Sequence, residues 1–152
     1  MLTYIVEDSP LKAELLGKFL IERFPILNVH IAGSYQSGLK LIEKESPGLI
    51  ILDMTLPNFD RLPNAREGRL RPIGGYDMMR KIKLREVQTR IIVVTQLESF
   101  GEGEDEVSFE EMAARCATEF SQTYVGSVYF DQREAAWQDE LENYIKKVIA
   151  ND

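Results

Sequence analysis

Five short runs along the chain are apolar and rich in β-branched residues: Leu2 to Val6, Val29 to Ala32, Leu49 to Leu52, Arg90 to Thr95 and Ser127 to Phe130. The stretches between them carry apolar residues mostly at helical spacing. LIIL at 49–52 and IIVV at 91–94 are apolar at every position, the pattern of strands covered on both faces of a parallel sheet. The alternation predicts an α/β fold, a doubly wound parallel sheet with helices on both faces.

The helices are marked by their ends and stripes. Ser9 and Pro10 predict an N-cap and a first helical residue, followed by a stripe of Leu11, Leu15, Leu16, Phe19 and Leu20 up to Phe24 and Pro25. A second helix is expected from about Tyr35 to Lys44 and a third from about Tyr76 to Arg85. Ser108 and Glu111 can cap a fourth, with Phe109, Met112, Ala113, Cys116 and Phe120 along one side. Asp131 and Glu134 read as the capping pair of a last helix, whose apolar face is Trp137, Leu141, Tyr144, Ile145 and Val148.

Two segments interrupt the alternation. Residues 58–74 carry Arg61, Arg66, Arg69 and Arg71 without sustained periodicity and read as an inserted loop. The crossover 97–126 opens on the acidic stretch ESFGEGEDE. The expectation is one domain over 1–152, with that insertion and that extended crossover.

Charge and cysteine usage narrow the function. A formal net charge of -7 argues against direct attraction to nucleic acid or an anionic membrane. No apolar run is long enough to span a bilayer, and a cytoplasmic location is expected. Cys116 is the single cysteine, which excludes an internal disulfide and a multi-cysteine metal site. His30, the single histidine, has no cysteine or acid at ligand spacing and reads as structural.

The chemistry concentrates at strand ends. In an open parallel sheet, ligands bind beyond the carboxyl ends of the strands, where strand order reverses. The first strand delivers Glu7 and Asp8, the third Asp53, and the fourth Thr95 and Gln96. Like charges in one place call for a cation, and carboxylates of this kind suit Mg²⁺ with positions open to phosphate oxygens. Asp53 could then attack a phosphoryl group while the Thr95 hydroxyl donates to one of its oxygens. Dinucleotide binding and P-loop chemistry are not expected, since neither glycine signature follows a strand.

In YIVEDSP, LIILDMTLP, GGYDMMRKI and IIVVTQ, the sequence resembles the receiver domains of two-component response regulators. The resemblance implies a flavodoxin-like sheet of order 2-1-3-4-5 with five helices, Mg²⁺ at Glu7, Asp8 and Asp53, and Asp53 as phospho-acceptor with Thr95 as switch. It also implies a histidine kinase or phosphotransfer protein as donor and no enzyme activity beyond self-catalysed phosphotransfer; with nothing expected after the fifth helix for a helix-turn-helix, output is expected through a downstream protein partner rather than direct DNA binding. Self-association as a homodimer is left open.

The resemblance breaks at the fifth strand. The family carries a lysine at its end, where this chain has Phe130 followed by Asp131. Ser127 stands where an aromatic switch residue is expected, with Tyr129 as a substitute from a shifted register. A point charge about 4 Å from a phosphate is worth roughly 4 kcal/mol at an effective dielectric of 20. The site is therefore expected to lack a built-in counter-ion, which a loop arginine or a lysine at 130 could restore. The alternative reading is a degenerate receiver that serves as a protein–protein interaction module without phosphorylation.

Overall fold

The computed structural model of the chain describes residues 1–60 and 70–151. Its centre is a five-stranded parallel sheet built from β1 (Leu2–Val6), β2 (Asn28–Ala32), β3 (Leu49–Leu52), β6 (Arg90–Thr95) and β9 (Tyr124–Tyr129), in the order β2-β1-β3-β6-β9. Counting these five alone, the order is the expected 2-1-3-4-5. Two short antiparallel pairs flank it: β4 (Leu56–Pro57) with β5 (Leu70–Arg71), and β7 (Ser99–Phe100) with β8 (Val107–Ser108).

Side-chain alternation on the strands splits the core into two layers. Tyr4, Val6, Ile50, Leu52, Ile91 and Val93 face one side, against α2 (Tyr35–Lys44), α3 (Gly74–Leu84) and α4 (Phe109–Glu119). Ile5, Leu49, Ile51, Ile92 and Val94 face the other, against α1 (Pro10–Arg23) and α5 (Ala136–Ala150). All four residues of β3 are buried, each contributing about 1.5–3 kcal/mol of apolar burial. Among the described residues, no helix is long and apolar enough to cross a membrane.

Several expected boundaries shift for identifiable reasons. Strand β9 starts at Tyr124, three residues early, because an irregularity lets Ile91 pair with Tyr124 and Ile92 with Gly126. The last helix begins at Ala136 behind Ala135, with no side-chain cap. Asp131 is unavailable for capping because its carboxylate accepts from the Arg133 backbone N–H, Nε and Nη2. Helix α3 starts at Gly74, two residues earlier than its apolar pattern suggested. The Ser108 cap is present, its Oγ accepting from the Glu111 N–H. The crossover also holds the β7–β8 pair around a 3₁₀ turn at Gly103–Asp105, a hairpin its acidic composition concealed.

Helix α1 is rotated about one residue from its expected face. Leu11 is 57% exposed, while the buried residues are Lys12, Ala13, Leu16, Gly17, Phe19 and Leu20. A lysine is thus turned toward the sheet where a leucine had been assigned.

Candidate phosphoryl and metal site

Backbone hydrogen bonds carry the acidic residues one step past the strand ends. The Glu7 N–H donates to the Ala32 carbonyl at 3.0 Å and the Asp53 N–H to the Val6 carbonyl at 3.0 Å. Each acid is thereby tied to the neighbouring strand's end. The Ser9 N–H donates to Glu7 Oε1 at 3.0 Å as the chain turns into α1. Behind Asp53, the Gly75 N–H donates to the Met54 carbonyl at 2.8 Å, which seats the start of α3 against the loop that bears the acid.

The outcome is a convergence. Glu7, Asp8 and Asp53 each bring a carboxylate oxygen into one group whose members lie within 4.8 Å of one another. Glu7 is buried, and Asp8 and Asp53 are half-buried. Three hard oxygen donors at this spacing fit a Mg²⁺-type cation. Glu7 Oε2 makes no hydrogen bond of good geometry and is held only by an ion pair with a neighbouring ammonium. Thr95 lies at the end of β6 and is buried. Its Oγ1 accepts from the Leu97 N–H at 3.3 Å, and its carbonyl accepts from the Phe130 N–H at 2.8 Å.

The site also holds a cation that the sequence reading missed. Lys12 Nζ lies 2.6 Å from Glu7 Oε2 and 3.6 Å from Asp53 Oδ1, and it donates to the Val94 carbonyl at 2.8 Å. Its side chain is 3% exposed. The expectation of a site without a built-in counter-ion is therefore corrected. The signal was present in the helix: Lys12, Leu16 and Leu20 stand four apart, so a lysine shares the buried stripe. Such a position is tolerable for an ammonium only where carboxylates await it.

Of the other candidates for that charge, Arg71 and position 130 are among the described residues and make other contacts. Arg71 stacks its guanidinium 3.9 Å over the Tyr35 ring and pairs with Asp77 at 3.7 Å. Arg61, Arg66 and Arg69, with most of the predicted 58–74 insertion, lie outside the described residues. Phe130 is buried against Trp137, ring centroids 4.9 Å apart. Ser127 Oγ shares a 2.6 Å hydrogen bond with the Tyr124 hydroxyl, and Tyr129, paired with Thr95, meets Phe109 edge-on. His30 is exposed on the edge strand, with its ring edge-on to Tyr4.

Burial makes the two principal carboxyls reluctant to ionise. Glu7 is raised to about 7, first by burial and then by the Asp53 charge, with Lys12 and the Ser9 N–H pulling it down. Asp53 is raised as well, burial being the main cause and the Lys12 charge the main opposing one. A carboxyl whose folded pKa lies above its unfolded value adds stability below the unfolded pKa and loses it as pH rises through the folded one. In chelator-treated buffer, the urea midpoint is therefore expected to be higher near pH 6 than near pH 8. The difference should be about 1 kcal/mol and should shrink in Glu7→Gln, where the raised Asp53 remains; an equal or reversed wild-type midpoint would contradict the raised Glu7.

Comparison with known proteins gives the family and the fold. Residues 3–109 match the family model described as the response regulator receiver domain. The chain is 29% identical over 146 residues to the Detocs response regulatory protein DtcB of Enterobacter cloacae, covering 95% of each. It is also 29% identical over 146 residues to the uncharacterised protein y4jR of Sinorhizobium fredii, covering 94% of this chain and 95% of that one. Among solved structures, it shares its fold with a Francisella response regulator receiver domain at a TM-score of 0.66 and 14% identity, over 99% and 97% of the two chains. The same fold recurs in TrrA of Thermotoga maritima, solved in complex with Mg²⁺ and BeF, at a TM-score of 0.64 and 18% identity over 97% of each. From strand order to acidic rim and family model, the observations agree, and the chain belongs to the response regulator receiver domain family of two-component signalling.

Proposed function

We propose that the chain, acting as one receiver-like unit, accepts a phosphoryl group on Asp53 and signals the change through a partner protein. The observation that carries this reading is the convergence of Glu7, Asp8 and Asp53 on one point at the sheet rim. An Asp53 oxygen attacks phosphorus as the P–N bond of a phosphohistidine donor breaks, its electron pair returning to the imidazole nitrogen. The product is an aspartyl phosphate, and attack by water later returns the carboxylate and inorganic phosphate. Glu7, Asp8 and Asp53 would hold Mg²⁺, which when bound supplies positive charge to the phosphoryl oxygens.

The chain's own residues supply positioning. Asp53 is fixed by its N–H bond to Val6 on one side and by the Gly75–Met54 bond behind it. Thr95 would exchange its present bond from the Leu97 N–H for an interaction with the new phosphoryl group, with its own O–H as donor. The donor would be a histidine kinase or a phosphotransfer protein, and the chain performs no turnover beyond its own phosphorylation and dephosphorylation. Likeness to DtcB, named a response regulatory protein, supports a role in signalling.

A second reading, the unphosphorylated docking module, is favoured by one observation: an ammonium already sits among the acids. The two are separated by incubating the chain with Mg²⁺ and a small-molecule phosphodonor and reading the intact mass. The acceptor reading expects one added phosphoryl group, lost in Asp53→Asn and lost on chelation. No mass change in the unmodified sequence would favour the docking module.

A further inference from the structure

Lys12 is placed unlike an ordinary helix lysine. Its ammonium is buried and meets oxygens delivered by three different strands: Glu7 Oε2 after β1, Asp53 Oδ1 after β3 and the Val94 carbonyl in β6. A lysine free to choose would extend its head to solvent. Here the stem is committed at the start of α1, where the Lys12 N–H donates to the capping Ser9 Oγ at 3.3 Å and Pro10 fixes the first helical residue. Nζ also lies over the Phe130 ring, 5.7 Å from its centroid.

We infer that Lys12 is the resident counter-ion of this site, competing with a divalent cation for the carboxylates at rest and transferring its pairing to the phosphoryl group once Asp53 is modified. The inference rests on the phosphoryl-acceptor reading above. Two of the three carboxylates that could ligate a metal already face the ammonium. A divalent ion must therefore enter against a fixed positive charge that shares its ligands. Modification of Asp53 replaces one negative oxygen by a group carrying more negative charge a bond further out, and the ammonium, 3.6 Å from Oδ1, is near enough to pair with it. Its bond to the Val94 carbonyl, one residue before Thr95, ties that charge to the strand carrying the proposed switch hydroxyl.

The consequence is a pair of effects with opposite signs. Removing the charge should strengthen metal binding, by relieving repulsion, and weaken binding of a phosphoryl mimic, by removing its partner. A lysine that only braces the fold would weaken both on removal, so the signs distinguish the roles.

The test is calorimetric titration of the full chain, as wild type, Lys12→Gln and Lys12→Arg, with Mg²⁺ alone and then with beryllium fluoride at saturating Mg²⁺. Lys12→Gln is expected to bind Mg²⁺ about tenfold more tightly and beryllium fluoride at least about tenfold more weakly, while Lys12→Arg keeps beryllium fluoride within about threefold. Parallel loss of both affinities in a folded Lys12→Gln chain, parallel gain, or no change in either would overturn the inference. Should Lys12→Gln not fold, the wild-type Lys12 ¹⁵Nζ resonance decides: it should move on adding Mg²⁺ and again on adding beryllium fluoride, and a resonance still through the second addition refutes the role. A wild-type chain that answers neither ligand refutes the acceptor reading itself, whereas a responsive wild type matched by its Lys12→Gln variant refutes only the assignment to Lys12.

Discussion

Phe130→Lys is expected to destabilise the chain by about 3–5 kcal/mol, a large fraction of the 5–15 kcal/mol that holds an ordinary domain together. A lysine at 130 looked from the sequence like a repair of the missing strand-five charge. The structure attaches a packing cost to that repair. The Phe130 ring is buried, packs on Trp137 at 4.9 Å, and Trp137 in turn meets Phe19 at 5.3 Å. Lysine there would forfeit this aromatic packing and bring a second ammonium toward Lys12, whose Nζ already lies over the ring. The check is a pair of urea denaturation curves against Phe130→Leu, which keeps an apolar side chain and should cost only about 1–2 kcal/mol. Wild-type stability in the lysine variant would mean that the position can open to solvent after all.

Gly75→Ala is expected to cost about 2–3 kcal/mol and to loosen the acidic site at the same time. A Cβ at Gly75 would stand 2.5 Å from the Asp53 carbonyl oxygen and 2.9 Å from the Met54 Cα. Both obstacles are backbone, and they belong to the loop that aims the Asp53 carboxylate. Either α3 withdraws from the sheet or Asp53 turns. Gly126 makes the informative contrast, because its added Cβ would strike the Tyr144 ring, a half-buried side chain at the far end of its own flexible stem. Gly126→Ala should therefore cost less, since a ring can swing and a peptide bond cannot. Thermal unfolding of both variants, with a Mg²⁺ titration of each, checks the ranking; equal losses would show that the loop around Asp53 yields as readily as a tyrosine.

What could be read from the sequence was whatever is written in local pattern. The runs at 49–52 and 91–94 had to be central strands, because a segment apolar at every position must be covered twice. The acids at 7, 8 and 53 were legible because strand ends are set by the same runs. Lys12 was missed although it shares the stripe of Leu16 and Leu20, because a lysine there makes sense only once Asp53, far along the chain, is brought beside Glu7. Apolar counting put Leu11 inward, and the carboxylates of Glu7 and Asp53 drew Lys12 in instead. The start of β9 escaped for a similar reason, since the irregularity opposite Ile91 and Ile92 has no signature in the strand itself. Asp131 has the right spacing for a cap, but Arg133 is a stronger local partner.

Helix α4 rests on the sheet through few side chains, Met112 and Cys116 being its buried residues. The Cys116 thiol is fully enclosed, and burial pushes its pKa up to about 12. A thiol reagent in neutral buffer can thus reach the sulfur only during excursions in which this helix lifts away. The protein carries its own stopwatch for that opening, wound by a single atom and readable without any added label.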